Sequence, residues 1–325
     1  MSAADDAWRP TAPRAALLAR AALLSRLRTF FSERGVLEVE TPLLSSAGTT
    51  DPQIHSFTTR YHGPGGERRL YLATSPEFPM KRLLAAGSGP IYQVCKAFRQ
   101  GEAGCLHNPE FTLLEWYRPG FDHHRLMDEV EELLAAVCET PPSAAERLAY
   151  GEVFEQHLDI DPHRATVDEL RRIARTRPAL ADIDDLDRDG WLDLLMSHCI
   201  QPALGREAPC FIYHYPASQA ALARIAPGEP PLAERFELIW HGIELANGFH
   251  ELTDAAQQRQ RFIADNNRRR AMGLAEVPID EQLLAALGAG LPDCAGVALG
   301  LDRLLLMKSP EKCLSSSVAF PILRA

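Results

Sequence analysis

Apolar residues recur at helical spacing along residues 14–34, where Leu17, Ala21, Leu24, Leu27 and Phe31 fall on one stripe. Gly35 follows as a C-terminal cap, and residues 36–40 alternate as a short strand before Thr41-Pro42. Residues 70–74 read as a strand, and a helix then runs from Ser75-Pro76-Glu77 to about residue 86. Two β-rich runs at 91–99 and 110–118 flank a segment containing Gly, Asn and Pro, which is the pattern of a hairpin. Residues 122–139 are amphipathic with a helical period and open on His123 and His124, expected to be solvated. Beyond Pro141-Pro142, residues 143–208 read as mostly helical, with charged patches at 171–177 and 182–189 expected on the surface. Residues 211–215 return to strand and 236–254 to a hairpin. Residues 255–272 form a helix with Arg268, Arg269 and Arg270 expected on its exposed face.

The first hairpin concentrates chemistry on one side. Side chains alternate along a strand, so Phe111, Leu113, Glu115 and Tyr117 share a face. A carboxylate among two aromatics and a leucine needs a cation or good donors. A ligand ammonium is one candidate; salt bridges on the rim of a half-exposed hairpin are the other. Arg99 and His107, at the far end, suit oxyanions, and Phe111 offers a flat surface nearby.

In the second hairpin a tight turn at His241-Gly242 would pair Trp240 with Ile243, Ile239 with Glu244 and Glu237 with Ala246. Glu237 and Glu244 then become diagonal neighbours. Such a pair either holds a cation, with magnesium suited to oxygen-only ligands, or is simply exposed on its strands. Asn247, Phe249 and Glu251 have the opposite parity to Glu244, so a bulge near Gly248 is expected to re-aim them. Gly296 and Gly300 punctuate a strand that enters a helix, placing Arg303 in the anion-favouring first turn. Taken alone, that spacing fits an ordinary packed strand equally well.

Composition narrows the classes. A hydrophobic content of 46% and a charged content of 24% are those of a soluble globular protein. The net charge of -10 argues against broad nonspecific binding to nucleic acid. Seven cysteines without a C-x-x-C pair signal neither a zinc site nor a redox pair, and suggest reduced thiols in the cytoplasm. No run of apolar residues is long enough to predict a membrane-spanning helix. Residues 1–13, with Pro10 and Pro13, read as a flexible arm. The glycines of residues 62–66 make a turn between strands, since no G-K-[ST] follows. Met307-Lys-Ser-Pro310 and Ser309-Pro-Glu-Lys312 lack the partner motifs that would give them meaning.

Together these stretches resemble the three signature motifs of class II aminoacyl-tRNA synthetases. The helix followed by Gly-Val-Leu-Glu-Val-Glu-Thr-Pro42 resembles motif 1, residues 98–115 motif 2, and Gly300-Leu-Asp-Arg303 motif 3. His107-Asn-Pro-Glu-Phe-Thr112 and Glu244-Leu-Ala-Asn-Gly-Phe-His-Glu251 are similar to the lysyl branch. The resemblance implies an α+β fold, an antiparallel sheet flanked by helices, with residues 14–325 as one catalytic domain and 143–208 as a helical insertion. It implies ATP and Mg²⁺. Arg99 would hold the α-phosphate and His107 and Arg303 the γ-phosphate, with Arg99 and Arg303 catalytic. Phe111 would stack on adenine, and Asn108 and Gly300 would complete the nucleotide site with Glu244. Glu237 and Glu244 would hold magnesium. Ser75, Glu77, Glu115, Tyr117, Asn247, Phe249 and Glu251 would surround the amino-acid substrate. Motif 2 of the family has glutamate two residues after its arginine; Gly101 stands there in this chain, and Glu102 is expected to take over the adenine-side contact.

Two departures from the lysyl branch refine the expectation. Motif 1 starts almost at the first residue, so no anticodon-binding domain, and no tRNA partner, is expected. Ala298 stands where lysyl synthetases have glycine, and its methyl should disfavour α-lysine. Both features resemble the ligases, related to lysyl synthetases, that attach (R)-β-lysine to elongation factor P. That likeness implies elongation factor P as partner, a cytoplasmic homodimer from motif 1, and no membrane. The competing expectations are a truncated lysyl-tRNA synthetase paralogue acting on tRNA and a catalytically dead regulator.

Overall fold

The computed structural model describes residues 8–307 and 312–325. Residues 1–7 of the expected arm, and 308–311 within the two stretches set aside above, lie outside the described residues. The chain divides into two compact units, the first made of Met1–Gly120, Thr253–Cys294 and Ala298–Ala325, the second of Phe121–Leu252 and Ala295–Val297.

The first unit opens with α1 (Arg14–Glu33), which buries Leu23, Leu27, Phe30 and Phe31. The stripe is thus rotated from the predicted one, and Leu17 and Ala21 are exposed. The reason is tertiary: Phe31 stacks on Tyr92 with ring centres 4.3 Å apart and meets Trp116 edge-on at 5.5 Å. A short β1 (Leu37–Glu38) follows. Next, β2 (Leu44–Ser45), β3 (Thr58–Gly63) and β4 (Gly66–Leu72) form a separate sheet in the order β2-β4-β3. Gly65 and Gly66 sit at φ of 92° and 91° between β3 and β4, a turn that side-chain-bearing residues resist. After α2 (Glu77–Ala85), β5 (Ile91–Phe98) and β6 (Glu110–Pro119) pair antiparallel without interruption from Ile91–Tyr117 to Phe98–Glu110. β1 lies parallel to β5.

The second unit begins with α3 (His123–Val137), whose first turn is capped by Asp122 accepting from the Arg125 N–H at 2.8 Å. His123 departs from expectation: it is only 4% exposed, because it is turned inward while His124 stays exposed. Residues 143–208 carry β7 (Glu146–Ala149), α4 (Tyr150–Leu158), α5 (Val167–Arg175) and α6 (Arg188–Leu195). Tyr150, Phe154, Trp191, Leu192 and Leu195 from these helices form the unit's apolar core with Ile212. The strands β8 (Cys210–Pro216), β9 (Ile225–Ala226), β10 (Leu232–Trp240) and β11 (Ile243–His250) complete it. The order is β11-β10-β8-β7, with β9 beside β10 and β7 parallel to β8.

Returning to the first unit, α7 (Ala255–Ala271) and α8 (Glu281–Gly290) precede β12 (Cys294–Gly300), which feeds directly into α9 (Leu301–Leu306). Arg269 overturns the expectation for its run. It is 6% exposed and spends its guanidinium on the carbonyls of Ala275 and Asp51. The fold is α+β as expected, with β5–β6, β8–β10, β9–β10 and β10–β11 antiparallel and β1–β5 and β7–β8 parallel. Among the described residues no helix is long and apolar enough to cross a membrane.

Candidate active site

Regular pairing of β5 with β6 sorts their side chains cleanly. Phe111, Leu113, Glu115 and Tyr117 oppose Ala97, Cys95, Gln93 and Ile91 on one face. The other face, with Tyr92 and Trp116, is the one Phe31 of α1 covers. Glu115 is 3% exposed and accepts a hydrogen bond from the Tyr117 hydroxyl at 2.7 Å. Burial, and then the Glu115 charge, push the neighbouring Cys95 thiol up to about 12. Gln93, opposite Glu115, is held by the Thr41 hydroxyl at 2.9 Å, tying the motif 1 segment to this face.

At the far end of the same hairpin the Arg99 guanidinium lies 5.1 Å from the Phe111 ring centre and 3.7 Å from Glu102. Its Nε is buried and has no hydrogen-bond partner among the described residues. A buried, unsatisfied guanidinium donor is costly unless an acceptor arrives, and a phosphate oxygen is the acceptor this geometry suits. Arg303 donates to His107 Nε2 at 2.8 Å and to the Leu106 carbonyl at 3.3 Å. His107 accepts at that nitrogen, so its imidazole is neutral in this pairing.

Several expected residues have structural partners. Asn108 donates to the Glu110 carbonyl at 2.6 Å and accepts from the Ile322 N–H at 2.9 Å, pinning the motif 2 loop to the C-terminal tail. Ser75 accepts from the Glu77 N–H at 3.4 Å at the start of α2. Glu77 lies 2.6 Å from the buried Lys81 ammonium, one helical turn on. Gly300 is the N-cap of α9, and Ala298 is half-buried on β12.

Asp302 and Arg20 escaped the sequence reading. Asp302 is 4% exposed, accepts from the Thr112 N–H at 2.7 Å and is ion-paired to Arg20 of α1. It fixes α9 against β6, and so fixes the origin of the neighbouring Arg303. An acidic residue in a helix's first turn was the available signal, but it reads equally as dipole compensation.

In the second unit the turn at His241-Gly242 pairs Trp240 with Ile243 and Ile239 with Glu244, as expected. Beyond it the register shifts, and Leu238 pairs with Ala246 and Glu237 with Asn247. The expected Glu237–Ala246 pair is therefore off by one. The extra residue is Leu245, so the bulge precedes Gly248 rather than forming at it. Leu245 and Ala246 are consecutively buried, and the half-buried positions resume at Asn247 and Phe249. Glu237, Glu244, Asn247 and Phe249 consequently share one face. Gly248 serves packing instead: a Cβ there would lie 2.4 Å from the Phe236 ring. Glu251, past the strand end, is 1% exposed.

Arg235, also unanticipated, organises this face. It is ion-paired to Glu237, donates to Asn247 Oδ1 at 3.2 Å and to the Gln219 carbonyl at 2.8 Å, and lies over Tyr215 at 4.4 Å. Burial raises the Glu237 carboxyl to about 7 against the pull of Arg235, with Glu244 adding like-charge repulsion. Two carboxylates on one face, repelling one another, are a fit for a hard divalent cation, which would relieve the repulsion.

Comparison with known proteins agrees with this geometry. Residues 6–324 match the tRNA synthetases class II (D, K and N). The chain belongs to this class II synthetase family. Among curated proteins, it is 54% identical over 322 residues to the elongation factor P–(R)-β-lysine ligase of Edwardsiella ictaluri, covering 98% of each chain. It is 52% identical, over the same share of each, to the protein of that name from Klebsiella pneumoniae (strain 342) and to that from Salmonella dublin. Within the class II synthetase chain, the β5–β6 hairpin is the motif 2 element and the β12–α9 junction the motif 3 element that the sequence pointed to.

Proposed function

We propose that this chain is an ATP-dependent ligase that activates (R)-β-lysine as an adenylate and transfers it to the ε-amine of a lysine on elongation factor P. The observation that carries the reading is the β6 face. It holds a buried carboxylate oriented by a tyrosine hydroxyl at one end and, at the other, an aromatic ring beside an arginine with an unsatisfied buried donor. Such a face suits a substrate with an ammonium and a carboxylate next to a nucleotide. The names and mutual coverage of the relatives support the specific acceptor and substrate.

In the first step the substrate carboxylate attacks the α-phosphorus of ATP in line. The bond to the bridging oxygen breaks and pyrophosphate leaves. Arg99 stabilises the charge gathering on the α-phosphoryl oxygens, and losing such a donor costs on the order of 3 kcal/mol in barrier. Phe111 receives the adenine and Glu102 its amino edge, while Arg303 and His107 hold the outer phosphate, Arg303 being set in place by Asp302. Glu115 and Tyr117 take the substrate ammonium, and the family resemblance also assigns substrate recognition to Asn247, Phe249 and Glu251. Glu237 and Glu244 would hold Mg²⁺, which supplies charge neutralisation for the phosphates. In the second step the ε-amine of the acceptor lysine attacks the acyl carbon, AMP departs, and the amine's proton passes to phosphate or a carboxylate. Residues 14–325 act as one catalytic domain in a cytoplasmic homodimer. The exposed Leu17, Leu18, Leu37 and Leu44 around motif 1 support the dimer, and sedimentation of the purified chain tests it.

Incubation with labelled α-lysine or (R)-β-lysine, ATP, elongation factor P and tRNA tests the function. Stable label on the factor is expected. Label on tRNA but not on the factor would replace this reading with that of a tRNA-charging paralogue, and no pyrophosphate exchange with any lysine isomer would favour a regulator. The half-buried Ala298 methyl is proposed to set the isomer preference, so Ala298→Gly should raise the use of α-lysine relative to (R)-β-lysine in pyrophosphate exchange.

A further inference from the structure

The second unit brings histidines from three separate elements together, away from the Glu237–Glu244 face. His123 and His124 open α3, His214 lies in β8 and His250 ends β11. Ring centres are 4.1 Å apart for His123–His124, 5.5 Å for His123–His214 and 5.7 Å for His124–His214. The ring nitrogens that His123, His124 and His214 can offer all lie within 4.8 Å of one another.

His123 is the decisive member. It is 4% exposed, and neither of its ring nitrogens has a hydrogen-bond partner among the described residues. A buried imidazole with both nitrogens unsatisfied is costly, so packing alone is a poor account of it. Protonation is no remedy either: burial, followed by His124 and His214, pushes its pKa down to about 3. Burial and His124 also lower His214. Three imidazoles gathered this closely lack a shared electrophile.

We propose that His123, His124 and His214 form a transition-metal site that takes Zn²⁺ or a similar borderline divalent ion. Three imidazoles suit Zn²⁺, Ni²⁺ or Cu²⁺ rather than the hard cation of the carboxylate pair. Zn–N bonds of about 2.0–2.1 Å require nitrogens closer than 4.8 Å, a contraction that side-chain rotation supplies. Half-exposed His214 and exposed His124 give the ion a route in and leave a fourth position for water. Behind His123, His250 Nδ1 lies 2.6 Å from Glu234, with His123 and His250 ring centres 6.4 Å apart. That carboxylate–imidazole pair borders the site and would orient its inner ligand. Asp122, Tyr213 and His163 are further polar neighbours, Asp122 adding negative charge beside His123 and His124.

The test uses the full chain, expressed without a histidine tag and stripped with chelator. Co²⁺ titration is followed by its visible absorption, and Zn²⁺ affinity by competition with a chromophoric chelator. One equivalent per chain is expected, with the absorption of a four-coordinate ion. His124→Ala and His214→Ala should each weaken binding at least about 10-fold, whereas His198→Ala, at an exposed helix end, should leave it unchanged. Circular dichroism of the metal-free variants separates lost ligation from lost folding, and His123→Gln adds the buried ligand if it folds. The absence of stoichiometric binding, or binding that survives both alanine variants, overturns the proposal.

Discussion

The β5–β6 and β10–β11 hairpins carry most of the candidate side chains and are built on opposite plans. The first is an unbroken ladder in which alternation alone assigns every residue to a face. The second is interrupted at Leu245, and only that interruption brings Asn247 and Phe249 onto the face that Glu237 and Glu244 share. The regular hairpin orients its carboxylate with one hydroxyl donor, Tyr117. The bulged hairpin burdens Glu237 with both Arg235 and a like-charged neighbour. A single carboxylate can be held by local pairing. Two on one face need a guanidinium to coexist.

The largest expected effect falls on the regular hairpin. If Arg99 holds the α-phosphate as proposed, Arg99→Ala should lower the pyrophosphate-exchange rate about 100-fold, with the melting temperature little changed. If the rate stays within a few-fold, the unsatisfied Arg99 donor is not aimed at phosphate.

Next in size is a stability effect on the bulged hairpin. Gly248→Ala forces a methyl into the fully buried Phe236 ring and should cost about 1–3 kcal/mol in urea unfolding. Phe236→Leu in the same chain should recover part of that loss, since it vacates the volume. Equal stability of Gly248→Ala and the parent chain would mean that packing does not select this glycine.

Tyr117→Phe removes one hydrogen bond to a buried carboxylate, about 1.5 kcal/mol. The expected result is a KM for the amino-acid substrate raised about 10-fold with kcat nearly kept. A fall confined to kcat would assign Tyr117 to the chemistry instead.

The smallest effect is on pH dependence. The folded chain holds the Glu237 proton more tightly than the unfolded chain, whose carboxyl titrates near about 4.3. Its contribution is full below that unfolded value and is lost as pH rises through about 7. Glu237→Gln should flatten the decline of melting temperature across that window. Identical pH profiles would show that Arg235 already keeps Glu237 ionised.

The contrast also explains what could be read ahead. The α1 helix, both hairpins and their turns, the α2 start and the strand entering α9 were legible from spacing, because each rests on local period and turn chemistry. Phe111, Glu115 and Tyr117 could be placed on one face because nothing interrupts their ladder. The rotated stripe of α1 could not: Leu17 and Leu23 are equally apolar, and only Tyr92 and Trp116 decide which side is buried. Likewise Arg269 looks like its neighbours until two distant carbonyls claim it.

By itself, then, the order of residues determined the α+β class, the motif 2 hairpin and the chemical character of each end of its exposed face, since these follow from period, parity and residue type. Tertiary structure alone decided that Asp302 anchors α9 against β6 and that His123 turns inward to meet His214. Those contacts join segments far apart in the chain, and no local pattern records which partner a charged or titratable side chain will find once the core has closed.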